Sequence, residues 1–187
     1  MRPGRTGFMY VQDRRTGQVL SADPYAFVNS ARGVDLSTGR LIPVPEKAPR
    51  MGRVTRMICP AAPGGKDWNP SAFSPRTGLI YVPHINLCMD HGAMEANYIS
   101  GTPFLGAETR MYAGPGGHRG EFTAWDPIGR RVAWKIKEDL PVWSGARDRY
   151  GAAESGALEG PTGEAPVGDR RGACPTRSRS PGRFGRV

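Results

Sequence analysis

The chain has 187 residues, of which 38% are apolar and 9% aromatic, which allows one domain with a modest core. Its 26 glycines and 18 prolines point to a turn-rich β architecture, a disordered part, or both, and its formal net charge is +9. No apolar run reaches the roughly 18 residues of a membrane-spanning helix, and the opening Met1-Arg-Pro-Gly-Arg-Thr-Gly7 lacks the apolar core of a signal peptide.

A strongly basic chain invites a nucleic-acid partner. Here the arginines are scattered through turns, eight of them fall in residues 147–187, and no nucleic-acid-binding motif accompanies them. The expectation is therefore no nucleic-acid partner. Cys59, Cys88 and Cys174 show no paired metal-ligand spacing, and His84, His91 and His118 add none, so no metal site is expected from this chain.

Read in chain order, the main feature is a degenerate turn word. Asp13-Arg-Arg-Thr-Gly17, Asp35-Leu-Ser-Thr-Gly39 and Ser74-Pro-Arg-Thr-Gly78 share it, and Asp126-Pro-Ile-Gly129 is a worn copy. The Asp or Ser side chain is expected to bond turn amides while Gly supplies the positive φ. Gly7-Phe-Met-Tyr-Val11 precedes the first turn and Leu79-Ile-Tyr-Val82 follows the third. Phe122-Thr-Ala-Trp125 and Val132-Ala-Trp-Lys-Ile136 flank the fourth. Strand–turn–strand units of this kind suggest propeller blades. Stretches 43–70 and 89–120 read as irregular rim loops. From 147 to 187 strand-forming residues almost vanish, so a disordered Arg/Gly/Pro-rich tail is expected, of the composition that a shifted reading frame in GC-rich DNA would give.

Residues 5–146 resemble the middle of pyrroloquinoline quinone (PQQ)-dependent methanol and alcohol dehydrogenases, nearest to their lanthanide-dependent branch. The resemblance lies in words such as Gly7-Phe-Met-Tyr-Val-Gln-Asp-Arg14, Thr38-Gly-Arg-Leu-Ile-Pro43, Ile58-Cys-Pro-Ala61, Gly65-Lys-Asp-Trp68, Leu87-Cys-Met-Asp90, Gly114-Pro-Gly-Gly-His118 and Pro141-Val-Trp-Ser-Gly-Ala146. It implies an all-β fold, a partial eight-bladed propeller over 1–146 that presents one wall of a cofactor funnel.

Several roles follow from that resemblance. Arg5 would lie against the ortho-quinone oxygens of PQQ, Asp67 and Trp68 would hold the cofactor edge, and Trp143 would close the pocket. Plainer readings are a solvated arginine, a loop-capping aspartate and a blade-packing tryptophan. Trp134 matches a structural tryptophan that docks neighbouring blades. Cys59 and Cys88 would form a disulfide, in keeping with a periplasmic enzyme. His118 reads as part of a structural Gly-rich loop. The catalytic aspartate and the ligands of a calcium or lanthanide ion are expected upstream of Arg5, so no catalytic residue is assigned in this chain. The parent enzyme would oxidise a primary alcohol, pass electrons to cytochrome c, and be a homodimer or peripheral. An isolated partial propeller would be inactive and prone to aggregate. Two other readings stay open: a cofactor-free propeller scaffold, and a basic tail that binds nucleic acid.

Overall fold

The computed structural model describes residues 1–102, 106–149 and 152–155. In chain order the strands are β1 (Arg2–Pro3), β2 (Phe8–Gln12), β3 (Val19–Pro24), β4 (Ala31–Asp35), β5 (Arg40–Pro43), β6 (Val54–Ile58), β7 (Ala72–Ser74), β8 (Leu79–Ile85), β9 (Leu87–Ala93), β10 (Ala107–Ala113), β11 (Gly120–Asp126), β12 (Arg131–Glu138), β13 (Ala146–Arg149) and β14 (Ala152–Ser155). They pair as a β1-β2-β3 sheet, a β4-β5 hairpin, a β10-β9-β6 sheet, a four-stranded β12-β11-β8-β7 sheet and a β13-β14 hairpin. Every pairing is antiparallel.

The repeated turn words join consecutive strands, as their chemistry predicts. In the first three, the Gly17, Gly39 and Gly78 amides donate to the carbonyls of Asp13, Asp35 and Ser74 at 2.8, 2.7 and 2.8 Å. Asp13 Oδ1 accepts from the Arg15 and Thr16 amides, and Asp35 Oδ1 from the Ser37 amide. Two details differ from expectation. The buried Ser74 hydroxyl bonds no turn amide and has no partner, because its strand alternation turns it into the core. In the worn copy Asp126 Oδ1 accepts from the Ile128 and Gly129 amides, but Arg130 takes the left-handed φ of 53°. A bidentate pair to Asp23, with both contacts at 2.8 Å, holds Arg130 there and ties this turn to β3.

The two central strands of the four-stranded sheet, β8 and β11, are covered on both faces. One face carries Val82 and Trp125, which pack on Met9 and Tyr25. The opposite face carries Tyr81, Phe122 and Ala124, packed with Ala146. Trp134 joins this second cluster, its ring 5.9 Å from Tyr81 and 6.1 Å from Phe122. It is half-buried core, as the sequence implies. Burial on both faces explains why β11 reads as a nearly continuous buried run.

The stretches read as rim loops hold a sheet. β6, β9 and β10 lie within or reach into 43–70 and 89–120, and β9 and β10 form seven consecutive pairs. Exposed polar side chains along β10, at Glu108, Thr109 and Arg110, hide that strand from a hydrophobicity reading. Asp90, read as a loop residue, lies on β9. Its Oδ1 accepts from the Met57 amide and the Tyr112 hydroxyl, which supports Met57 at a φ of 51°. The β13-β14 hairpin crosses the boundary placed at 146/147, so short strands stand at 147–149 and 152–155 where composition predicts none. Backbone pairing, which needs no particular side chain, accounts for the difference. Residues 156–187, the rest of the expected tail, lie outside the described residues.

Cys59 and Cys88 are disulfide-bonded across 29 positions, joining the end of β6 to its neighbour β9. Both are buried. Closing a loop of this length stabilises a fold by about 3 kcal/mol. We expect the Cys59→Ser, Cys88→Ser double variant to lose about that much in a urea melt; an unchanged midpoint would show that the bond restrains nothing.

Candidate functional site

A glycine pair organises the site. Gly65 donates its amide to the Arg5 carbonyl at 2.8 Å and accepts from the Ile85 amide at 2.6 Å. Gly64 has a φ of +83°, and a Cβ there would stand 2.7 Å from the Arg5 carbonyl oxygen. Only glycine suits both demands. The 61–67 loop thereby threads between the 4–7 turn and the end of β8. Tyr25 fixes the other side of that turn, its buried hydroxyl donating to the Gly4 carbonyl at 2.9 Å.

This threading places Arg5, Lys66 and Asp67 around one cavity of about 460 Å³, which Arg2, Tyr10 and Ser71 also line. The Arg5 guanidinium lies 3.6 Å from Asp67 Oδ1 and donates to the Ala62 carbonyl at 3.0 Å. This ion pair is exposed enough to orient more than to stabilise. Arg2 sits over the Tyr10 ring, 6.0 Å from its centroid. Lys66 is buried, and its Nζ reaches only the carbonyl of the adjacent Asp67, at 3.5 Å. Burial pulls its pKa below the usual lysine value, and the Asp67 charge restores part of the shift. The Ser71 hydroxyl is sealed from water without a partner. Three cationic side chains thus face one carboxylate, which leaves the cavity positive.

Of the residues singled out in the sequence, Arg5 and Asp67 come together. Trp68 and Trp143 do not line the cavity and are 78% and 42% exposed. The reason is local. Asn69, two residues after Asp67, is buried, and its Nδ2 donates to the Val142 and Ser144 carbonyls at 3.2 and 3.3 Å. Burying Asn69 turns its neighbour Trp68 outward, yet it holds the Trp143 main chain within two residues of Asp67. The aromatic wall of the cavity is Tyr10 instead.

A second cluster escaped the sequence reading. Glu121 on β11 pairs directly with His84 on β8, so both side chains share a face. Glu121 Oε1 accepts from His118 Nε2 at 2.7 Å; Oε2 accepts from Lys135 Nζ at 2.8 Å and lies 3.3 Å from His84 Nε2. Burial alone would raise the Glu121 pKa, but the bonds from His84, Lys135 and His118 outweigh it and hold the carboxyl near about 2. Full burial pushes His84 below its usual value despite Glu121, so His84 is neutral. The Tyr25 and His84 rings meet edge to face at 5.1 Å, which sets this network behind the Tyr25–Gly4 contact. His118 is therefore a partner of Glu121 as well as part of its Gly-rich loop. The pairing becomes legible only once β8 and β11 are placed side by side.

No family model matches the sequence. Over 144 residues the chain is 45% identical to the lanthanide-dependent methanol dehydrogenase of Methylacidiphilum fumariolicum, covering 75% of this chain and 24% of that protein. Over 168 residues it is 40% identical to the lanthanide-dependent methanol dehydrogenase of Methylorubrum extorquens, covering 83% of this chain and 28% of the other. A europium-containing methanol dehydrogenase superposes with a TM-score of 0.77 at 43% identity, over 83% of this chain and 28% of that one. In sequence and fold the chain is similar to quinoprotein alcohol dehydrogenases. A quinohemoprotein alcohol dehydrogenase from Pseudomonas putida shares the fold at a TM-score of 0.68 and 26% identity. The chain spans about a quarter of the length of the methanol dehydrogenases it matches.

Two outcomes follow from the site's geometry. His84 and Glu121 both have folded pKa values below their ordinary ones, so each contributes its full stability above the ordinary value and loses it as pH falls. We expect stability to drop first below pH 6.5, through His84, and again between pH 4.5 and about 2, through Glu121. Urea melts at pH 7 and pH 5 on the native chain and its His84→Gln variant check this: the variant should lack the first drop, and an equal drop in both would refute the assignment. Gly64→Ala should destabilise by about 1–3 kcal/mol, read in the same melts, because its φ and its contact with Arg5 both resist a side chain.

Proposed function

We propose that this chain forms part of the cofactor-facing wall of a periplasmic quinoprotein alcohol dehydrogenase. On this reading the whole enzyme is an eight-bladed propeller that binds PQQ with a calcium or lanthanide ion, oxidises a primary alcohol and passes the electrons to a cytochrome c. Support comes from the identity to lanthanide-dependent methanol dehydrogenases and from relatives such as the methanol dehydrogenase [cytochrome c] subunit 1 of Methylorubrum extorquens, 33% identical over 150 residues. The β12-β11-β8-β7 sheet, a four-stranded antiparallel unit whose central strands are buried on both faces, is what a blade requires.

The observation that carries the reading is the positive cavity. PQQ is a flat tricarboxylate with an ortho-quinone. Arg2, Arg5 and Lys66 outnumber Asp67, so the lining fits such a polyanion. When bound, PQQ would supply the hydride acceptor. The chain's own part is binding and polarisation. Arg5 would present fixed positive charge to the quinone oxygens, where negative charge develops during reduction. Asp67 would keep the guanidinium aimed by its ion pair. Trp143, whose flanking carbonyls Asn69 tethers, would close the pocket, and Trp68 would hold the cofactor edge beside Asp67.

Among the described residues no group of three or more His, Cys, Asp or Glu could hold a metal ion, so no step is assigned to one here. The carboxylates suggested by the turn words are already engaged. Asp13, Asp35 and Asp126 bond turn amides, and Asp90 bonds the Met57 amide. None is assigned as the base.

Titrating the chain with PQQ while following tryptophan fluorescence tests the reading. We expect saturable quenching that Arg5→Ala weakens about 10-fold, the size of a lost charge-assisted bond. We also expect no dye-linked methanol oxidation with calcium or a lanthanide. Absence of saturable quenching would favour a cofactor-free scaffold.

A further inference from the structure

We propose that Lys66 anchors a carboxylate of the ligand held in the Arg5–Asp67 cavity; the inference rests on the cofactor reading above and adds a residue to it. Lysine is seldom buried without a partner. Lys66 keeps only 5% of its surface exposed, and its ammonium carries three donors. The structure gives it one contact, to the carbonyl of its own neighbour at 3.5 Å, beyond good hydrogen-bond length. The Asp67 carboxylate is committed to Arg5. Lys66 therefore holds donors in reserve at the wall of a cavity where positive charge is in excess.

The geometry also separates the two cations. The Arg5 side chain is 58% exposed and is shared with Asp67 and the Ala62 carbonyl. It can aim charge at one edge of a ligand, but its donors are already divided. Lys66 is buried and offers an undivided point charge to a carboxylate oxygen. Ser71 also lines this cavity, with its hydroxyl sealed from water, so the anchoring charge is left to Lys66. The class of ligand group is thus a carboxylate fixed at the buried end, with the remainder of the ligand extending toward Arg5.

The chain has four lysines, Lys47, Lys66, Lys135 and Lys137, so each can be followed separately. The test acylates the full chain with acetic anhydride and reads the rate at each lysine by mass spectrometry, alone, with PQQ and with citrate as a plain tricarboxylate. In parallel, PQQ affinity is measured by tryptophan quenching for the native chain, Lys66→Met and Lys66→Arg. We expect PQQ to slow acylation of Lys66 but not Lys137, Lys66→Met to weaken PQQ at least ~10-fold, and Lys66→Arg to recover part of that loss. Saturable PQQ binding with unprotected Lys66 and an unaltered Lys66→Met affinity would overturn the proposal while leaving the cofactor reading intact. Protection by citrate without PQQ binding would retain the carboxylate anchor and remove the cofactor. Protection by neither anion would overturn it.

Discussion

The arrangement depends on one close backbone approach, in which Gly65 bonds Arg5 on one side and Ile85 on the other. Two sheets and a long loop meet at that residue. A side chain on Gly64 would strike the Arg5 carbonyl, and one on Gly65 would press on Tyr25 and Ala26. With both positions stripped to backbone, Lys66 and Asp67 are carried to the same cavity as Arg5. The site charge is thus a consequence of backbone threading, which makes its positions less adjustable than side-chain contacts would be.

Behind that approach stands a polar network inside an otherwise apolar stack. His84, Thr123 and Glu121 continue the face that begins with Trp125 and Val82. His84 is neutral and Glu121 charged, because burial acts unopposed enough on the first and three donors satisfy the second. Their link to the site runs through packing: His84 backs Tyr25, and Tyr25 holds the Gly4 carbonyl beside Arg5. The network stabilises the position of Arg5 without touching the cavity.

The legible parts of the sequence are those with local physics. Asp13 and Asp35 announce turns because a short acid bonding nearby amides works within a few residues. The all-β class and the Cys59–Cys88 bond, the latter through resemblance, were likewise readable. What stayed hidden needs long-range information. β10 shows polar side chains to solvent, so alternation carries no signal there. Trp68 and Trp143 look like pocket walls as residue types, but the burial of Asn69 decides their direction. Nothing local in the sequence marks Lys66 as buried; the close approach at Gly64 and Gly65 draws it inward. Glu121 and His84 become partners only when β8 and β11 are set side by side in register.

Amide hydrogen exchange at Gly65 and Ile85, read by NMR on the unliganded chain, tests the threading most directly. Both amides should exchange as slowly as those in the middle of β11, because each is bonded across the approach at 2.8 and 2.6 Å. Exchange at the rate of open loop amides would mean that the 61–67 segment is not held against Arg5, and the shared cavity would have no structural basis.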